Sequence, residues 1–148
     1  GFTAVRICEF NENYDRTHKT PSTVNGVQYG DLPEYVDFEY VRKVAGVNLA
    51  TISNMALAPY PPENAGITVW GLTNLTTLTW SAPQRGKKPG GYYVLMGDTS
   101  QPTWERKIRT DGTTITLPYS KDNYFFAVQS VDAEGHESVA VFPSPVRK

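Results

Sequence analysis

The stretch "LPYSKDNYFFAVQSVDAEGHES" (117–138) decides the fold of most of this 148-residue chain. Large apolar side chains recur at every second position, Tyr124, Phe126 and Val128, which is the period of a strand with one buried face. Asp, Glu and Gly then crowd residues 132–137, and this composition is typical of a turn. The stretch therefore predicts a β-strand that ends in a tight turn.

The same pattern extends in both directions from this strand. Further alternation occurs at Leu78 with Trp80 and at Tyr92 with Val94, and Gly, Pro, Asp and Asn punctuate the intervals between apolar runs. About seven short strands at this spacing predict a mostly β fold, a β-sandwich of immunoglobulin-like type. The candidate strands are 67–72, 76–81, 92–97, 105–109, 113–117, 123–131 and 138–142.

The first third of the chain has a different pattern. The nearly continuous apolar run Ala4, Val5, Ile7 and Cys8 predicts a strand covered on both faces, with Cys8 buried. Arg6 within this run would then need a charge partner. Residues 11–36 are polar and rich in turn residues, and a loop of this length is more often functional than idle.

A long helix is predicted over residues 37–59. Asp37 is a favourable N-cap residue, and Pro59 lies just past the predicted end. Apolar positions recur with helical spacing along one face. That face comprises Val41, Val44, Ala45, Asn48, Leu49, Ile52, Met55 and Ala56.

The segment "APYPPENAG" (58–66) contains three prolines and predicts a stiff, extended connection. We therefore divide the chain into residues 1–58, a Pro-rich linker at 59–65, and a β-sandwich at 66–148. Because the sequence opens at Gly1 as if inside a strand, we expect the chain to be a fragment of a longer protein.

Composition limits the possible functions. The formal net charge is -1, so no basic surface for nucleic acid is expected. No apolar run approaches the roughly 20 residues of a membrane-spanning helix, so no membrane span is expected. The single cysteine, Cys8, cannot form a disulfide within the chain.

Residues 66–148 resemble a fibronectin type III module. The resemblance rests on "TTLTWSAP" (76–83), "GYYVLM" (91–96) and the stretch 117–138. Tyr124 stands where that family has its corner tyrosine, and Trp80, Tyr124 and Phe126 are all expected in the core. Such modules bind or position other molecules, and this one shows no catalytic set. His136, on the turn after the strand, is interpreted as a solvated turn residue.

Residues 1–58 look like the C-terminal end of a zinc-dependent M28-family peptidase. The resemblance rests on "GFTAVRICEFNENYDRTHKT" (1–20) and "NGVQYGDLPEYVDFEYVRKVAGVNLATISNMALAP" (25–59). It implies the last strand, loop and helix of an α/β peptidase domain, in which the loop carries a zinc-binding histidine. His18 matches that histidine. The family often has Asp soon after it, whereas this sequence has Lys19, Thr20, Ser22 and Thr23.

A single loop histidine is weak evidence for a metal site, because such sites are clusters of ligands. The resemblance implies a two-zinc site whose other ligands, a second His and several carboxylates, and whose general-base Glu lie upstream of Gly1. We therefore assign His18 as the metal ligand and no residue as catalytic, and we expect this chain alone to be inactive. Tyr14 and Tyr29 are candidates for substrate binding. Glu9, Glu12 and Asp15 either line a cleft or belong to a solvated loop.

Two hypotheses of function follow. In the first, the intact parent is a two-zinc exopeptidase, an aminopeptidase, that hydrolyses peptide bonds and carries an appended β-sandwich. In the second, the chain is a non-catalytic binding or positioning module of a cell-surface or secreted protein. Because the helix has an apolar face to cover, we expect it to pack on the sandwich, on a missing N-terminal catalytic domain or on a second copy of the chain. The resemblance implies export to the periplasm, cell surface or medium.

Overall fold

A computed structural model describes residues 5–147. The chain divides into two units, Gly1–Val47 and Asn48–Lys148, and the division falls inside the long helix. No helix among the described residues is long and apolar enough to cross a membrane.

The first unit contains a short hairpin and the start of the helix. Strands β1 (Ser22–Val24) and β2 (Val27–Tyr29) pair antiparallel, and a 3₁₀ turn follows at Pro33–Tyr35. The hairpin turn is Asn25–Gly26, with φ of 50° and 81°. Both central residues have positive φ, as in a type I′ turn. Two-residue hairpins favour this turn because its twist matches the right-handed twist of the flanking strands.

The strand predicted over residues 4–8 is wrong for the described part of that segment. Residues 5–9 have no regular secondary structure, and Val5 and Phe10 are 88% and 96% exposed. Cys8 and Arg6 are exposed as well, which corrects the prediction that the run is buried. A strand forms only where a neighbour satisfies its N–H and C=O groups, and the described residues provide none there. Ala4 lies outside the described residues.

The helix predicted over 37–59 is confirmed as α1 (Phe38–Leu57). The backbone N–H of Tyr40 donates to Asp37 Oδ1 at 3.0 Å, so Asp37 caps the helix as predicted. The helix ends two residues before Pro59, which resists helical continuation.

Most of the apolar face of α1 is exposed to solvent, while Val44 and Asn48 are half-buried. None of the helix's residues, all of which the structure describes, is buried. Val41, Leu49 and Ile52 are 50%, 67% and 64% exposed. A helix with such a face ordinarily packs it against another element.

The second unit is a β-sandwich, as predicted. Within residues 5–147 the structure forms one sheet of order β7-β4-β3-β9 and another of order β6-β5-β8. Pairing is antiparallel apart from β3 with β9. The strands are β3 (Glu63–Thr68), β4 (Thr76–Ser81), β5 (Gly91–Asp98), β6 (Arg106–Thr110), β7 (Thr114–Leu117), β8 (Tyr124–Val131) and β9 (Ser144–Val146).

The core lies between the two sheets. Leu78, Val94 and Val128 have no exposed surface, and Trp80 packs edge-on against Tyr92 with ring centroids 5.4 Å apart. These positions are the inward half of each alternating strand, so the core follows directly from the two-residue period.

The aromatic core residues predicted by the alternation are confirmed in two cases of three. Trp80 and Phe126 are 5% and 3% exposed. Tyr124 is half-buried at the edge of the core, where its ring meets the Tyr119 ring at 5.7 Å.

The first strand of the β-sandwich, β3, begins earlier in the sequence than predicted. β3 starts at Glu63, within the segment assigned to the linker, and ends at Thr68, whereas 67–72 was expected. Pairing with β4 is irregular between Glu63 and Gly66, and Asn64 has a φ of 52°. A bulge absorbs the turn-like residues, so the strand contains a sequence that resembles a loop.

The prediction of a last strand over residues 138–142 is wrong. This segment joins the sheet through a single bridge, between Val128 and Val141. The chain then crosses to the other sheet, where β9 pairs with β3. Pro143 and Pro145 cannot donate ladder hydrogen bonds, so the segment forms only a short edge strand there.

Candidate functional site

The loop that carries His18 is closed by contacts between its two ends. The backbone N–H of Arg16 donates to Asn13 O at 3.0 Å, which forms a turn. The N–H of Gly30 donates to Asp15 O at 3.0 Å, although 15 positions separate the two residues. The hairpin of β1 and β2 thus returns the chain to the segment around His18.

His18 itself sits in a left-handed backbone conformation with a φ of 55°. Its backbone N–H donates to Asp31 Oδ2 at 3.0 Å, and the residue is exposed. A non-glycine residue in this conformation is uncommon and needs support from its surroundings. The Asp31 carboxylate provides that support, so the backbone that presents the His18 imidazole is held in place.

Gly30 is the position where the loop closes most tightly. Its φ is 102°, and an added Cβ would lie 2.6 Å from Pro21 Cα and 2.9 Å from Lys19 O. Only glycine meets both requirements without moving the backbone. Gly30 therefore holds β2 against the segment just after His18.

A cleft of about 450 Å³ lies beside this loop, within the first unit. The Arg16 guanidinium stacks over the Tyr35 ring, 3.9 Å from its centroid. Glu9 also lines the cleft, in agreement with one of the two interpretations of the acidic run, whereas Asp15 instead pairs with Lys19 at 3.0 Å.

The two tyrosines predicted to bind substrate differ in environment. Tyr14 is 71% exposed next to the Asn13–Arg16 turn. Tyr29 is half-buried on β2, and Lys19 Nζ lies 4.9 Å from its ring centroid. Lys19 thus connects Tyr29 with the segment of His18. The substrate-binding role of both residues stays a prediction.

An exposed imidazole on a held backbone is a suitable zinc ligand, since zinc binds the neutral ring nitrogen of histidine. One imidazole does not make a site, because zinc needs three or four protein ligands. Across residues 5–147, the one group of three potential ligands close enough to share an ion does not include His18. The described residues therefore provide one suitable ligand for a zinc site, His18, and do not provide the remaining ligands.

The group of three is Asp132, Glu134 and His136, on the turn after β8. Asp132 is buried, and its Oδ2 accepts from Lys87 Nζ at 2.8 Å and contacts His136 Nδ1 at 2.9 Å. Its Oδ1 accepts the backbone N–H groups of Glu134 and His136, each at 2.9 Å. A cation already neutralises this carboxylate, so the arrangement stabilises a turn.

The pKa values of two charged groups at this turn, Asp132 and Lys87, differ from their ordinary values. The Lys87 ammonium, the His136 ring and two backbone N–H groups hold the pKa of Asp132 far below its usual range. The same contact with Asp132 raises the pKa of Lys87. His136 is accordingly half-buried and hydrogen-bonded, which corrects its interpretation as a solvated turn residue.

Asp31 is the site residue that the sequence analysis missed. It stands 13 positions after His18, too far for a local pattern to connect them. A signal was present in the Asn25–Gly26 pair between Val24 and Val27, since an Asn-Gly pair flanked by β-branched residues favours a tight hairpin. Such a hairpin returns the chain toward His18.

Curated relatives match nearly the whole chain. A "probable zinc metalloprotease" of Leptosphaeria maculans is 39% identical over 146 residues, which is 98% of this chain and 34% of that protein. Proteins of the same name from Pyrenophora tritici-repentis and Phaeosphaeria nodorum are each 37% identical, over 98% of this chain and 34% and 30% of their own lengths. The chain thus spans about a third of the curated relatives that it matches. No family model matches it.

Two of the solved structures similar to the chain are named as fibronectin type III or Fn3-like proteins. The fn3 domain of the human collagen alpha-1(XX) chain has a TM-score of 0.46 at 19% identity, covering 62% of this chain and 90% of that one. An Fn3-like protein from Clostridium thermocellum has a TM-score of 0.45 at 19% identity, covering 62% and 97%. The second unit itself is a β-sandwich of two sheets.

Proposed function

We propose that this chain is the C-terminal part of a two-zinc metallo-exopeptidase of the M28 type, an aminopeptidase, with an appended fibronectin type III-like module. The observation that carries the proposal is the match to probable zinc metalloproteases along 98% of the chain, although the chain spans only 34% of the first of them. In this proposal residues 1–58 belong to the peptidase domain, 59–65 connect the two, and 66–148 form the module.

His18 is the proposed metal ligand of this chain. The hydrogen bond from its backbone to Asp31 and the tight closure at Gly30 support the role, because a metal ligand must be held within a narrow geometry. The remaining ligands and the general base would come from the rest of the protein. Two zinc ions, when bound, would polarise the scissile carbonyl and activate the attacking water.

The residues around His18 would bind the peptide substrate. Tyr14 and Tyr29 are the proposed substrate contacts, although neither lines the cleft beside the loop. The cleft itself offers the charges of Arg16 and Glu9 to a peptide's termini. Binding by such loops on a rigid scaffold is common. This chain alone would bind zinc weakly and hydrolyse nothing.

The largely exposed apolar face of α1 supports a partner for this helix. Val41 and Leu49, at 50% and 67% exposed, would be covered by the N-terminal catalytic domain or by a second copy of the chain. Each buried side chain of this kind contributes about 1.5–3 kcal/mol. We also propose that the whole protein is exported, which fractionation of its source cells tests.

The decisive experiment uses a longer protein that contains this chain. Zinc stoichiometry is measured after removal and return of the metal, and hydrolysis is measured with aminoacyl anilides whose amino group is free or acetylated. We expect about two ions per molecule, hydrolysis of the free amine only, and loss of one ion and of activity in His18→Ala.

His136→Ala is the matched control, since it removes the chain's other histidine from a turn that we assign to stability. It is expected to retain both ions and full activity at a temperature where it is folded. Zinc binding and activity that survive His18→Ala would overturn the role of His18, and a longer protein that neither binds zinc nor hydrolyses the substrates would overturn the whole proposal. The chain would then be a binding or positioning module without catalysis.

A further inference from the structure

Three aromatic side chains form an exposed cleft on the β-sandwich, which we call the aromatic cleft. Trp104, Phe125 and Phe142 are 40%, 53% and 63% exposed, and the Trp104 and Phe142 rings meet at 5.6 Å with an angle of 41°. The cleft has a volume of about 280 Å³, and Gln101 and Thr103 also line it. A cluster of large exposed rings on a small domain marks an interaction site.

The cleft is built by the strands beneath it. Phe125 points outward from β8 because its neighbour Phe126 points into the core, and Phe125 pairs in register with Gly97 of β5. A Cβ on Gly97 would lie 2.6 Å from Thr103 O and 3.5 Å from the Trp104 ring. The glycine therefore lets the Trp104 loop lie directly on the sheet.

Hydrogen bonds fix this loop before any ligand arrives. The N–H of Glu105 donates to Met96 O at 3.0 Å, and the N–H of Gln101 donates to Asp98 O at 3.1 Å. The Asp98 carboxylate accepts two hydrogen bonds from Ser100, which lower the pKa of Asp98. A preformed cleft binds without an ordering cost.

The lining limits the chemistry of the occupant. Among residues 5–147, no charged side chain lines the aromatic cleft, so a charged group placed there would lose its hydration without a partner. Aromatic faces pack well against flat apolar surfaces, and the amide of Gln101 and the hydroxyl of Thr103 can exchange hydrogen bonds at the rim. A neutral ring with a C–H face and peripheral hydroxyl groups meets both conditions.

A second depression continues the site beyond Trp104. It has a volume of about 340 Å³ and is lined by Trp104, Gln129 and charged side chains that include Lys107 and Glu137, which pair with each other. Trp104 thus borders both an apolar subsite and a subsite with charged and polar side chains. This succession suits an occupant made of repeated units, each with apolar faces and many hydroxyl groups.

At Val128 and Ser130 the outer edge of β8 is already paired and offers no main-chain groups to an added peptide strand. The N–H and C=O of Val128 both pair with Val141 at 2.9 Å, and Ser130 O accepts from the N–H of Ser138 at 3.0 Å. Strand addition needs unpaired main-chain groups. We propose that the aromatic cleft binds a neutral oligosaccharide, with Trp104 between two successive sugar units.

The test is titration of the isotopically labelled 148-residue chain with cellohexaose, laminarihexaose, chitohexaose and mannohexaose, followed by NMR. We expect at least one of them to shift the signals of Trp104, Phe125 and Phe142. Trp104→Ala and Phe142→Ala should each weaken that binding about tenfold, the effect of losing one aromatic contact. Because both side chains are exposed, the variants should retain the core signals of the folded chain.

Trp70→Ala is the matched control, since Trp70 is 52% exposed and does not line the aromatic cleft. Its affinity for the saccharide should equal that of the unchanged chain. The proposal is overturned if none of the four saccharides shifts the cleft signals, or if Trp70→Ala weakens binding as much as Trp104→Ala. Binding of an apolar or proline-rich peptide in the cleft, with no saccharide bound, would equally overturn it. These outcomes are independent of zinc and of peptidase activity.

Discussion

The loop around His18 and the core of the β-sandwich are stabilised by different forces. In the sandwich, Leu78 and Val94 have no exposed surface and are surrounded by other apolar side chains. In the loop, His18 is held by one hydrogen bond to Asp31 between exposed groups. Burial is non-directional and shared by many residues, whereas the loop depends on a few directional contacts. The loop should therefore open locally while the sandwich stays folded.

The largest effect is expected in the core. Leu78→Ala should lower the free energy of unfolding of the sandwich by about 2–5 kcal/mol, because it leaves a cavity between the sheets. Leu72→Ala is the matched control, since Leu72 is fully exposed and should change stability by about 0.5 kcal/mol or less. Urea denaturation measures both. Similar losses in the two variants would show that the core does not dominate stability.

A second effect concerns the Asp132 turn and its pH dependence. Because the folded state holds the pKa of Asp132 low, the unfolded chain takes up the proton first, at an ordinary value of about 3.9. The stabilisation is thus complete above about pH 4 and is lost as the pH falls below it. Asp132→Asn should be less stable near neutral pH and should show a flatter acid dependence in urea midpoints.

Two further variants sharpen that test. Lys87→Met removes the main cause of the low pKa and should flatten the acid dependence in the same direction. Asp111→Asn removes a carboxylate whose side chain is 85% exposed and should leave the curve unchanged. A wild-type slope in Asp132→Asn would mean that other carboxylates govern acid unfolding.

The next prediction compares alanine substitutions at two glycines of the hairpin region, Gly26 and Gly30. Both Gly26 and Gly30 have positive φ, so alanine at either costs about 1–2 kcal/mol of local stability. At Gly26 an added Cβ meets nothing within 4 Å, whereas at Gly30 it lies 2.6 Å from Pro21. Gly30→Ala should therefore increase hydrogen exchange of the His18 amide more than Gly26→Ala does. Equal effects would argue against close packing at Gly30.

The smallest effect is expected at Asp31. Asp31→Ala removes the acceptor of the His18 N–H, worth about 1 kcal/mol, so that amide should exchange about fivefold faster. Asp31→Asn keeps a side-chain oxygen and should restore part of the protection. Glu34→Ala, a nearby acidic change, should leave the His18 amide unaffected. No change in Asp31→Ala would show that the left-handed backbone at His18 does not depend on this contact.

How much of the structure the sequence could predict also differs between regions of the molecule. The helix, its Asp37 cap and the strands from 76 to 131 could be predicted, because periodicity and capping are local properties of the sequence. The start of β3 could not, since a bulge places turn-like residues in a strand. The segment 4–8 was predicted as a strand because apolar composition indicates burial and does not indicate whether a pairing partner is present.

At the candidate site, the sequence by itself determined which residue types carry chemistry. Those are an imidazole at His18, aromatic rings at Tyr14 and Tyr29, and a helix with one apolar face. Only the tertiary structure decided that Asp31 holds the His18 backbone and that Trp104 and Phe142 share one exposed cleft. The physical reason is that side-chain type and period are encoded locally, whereas a hydrogen bond or ring contact between distant residues depends on how the intervening chain turns.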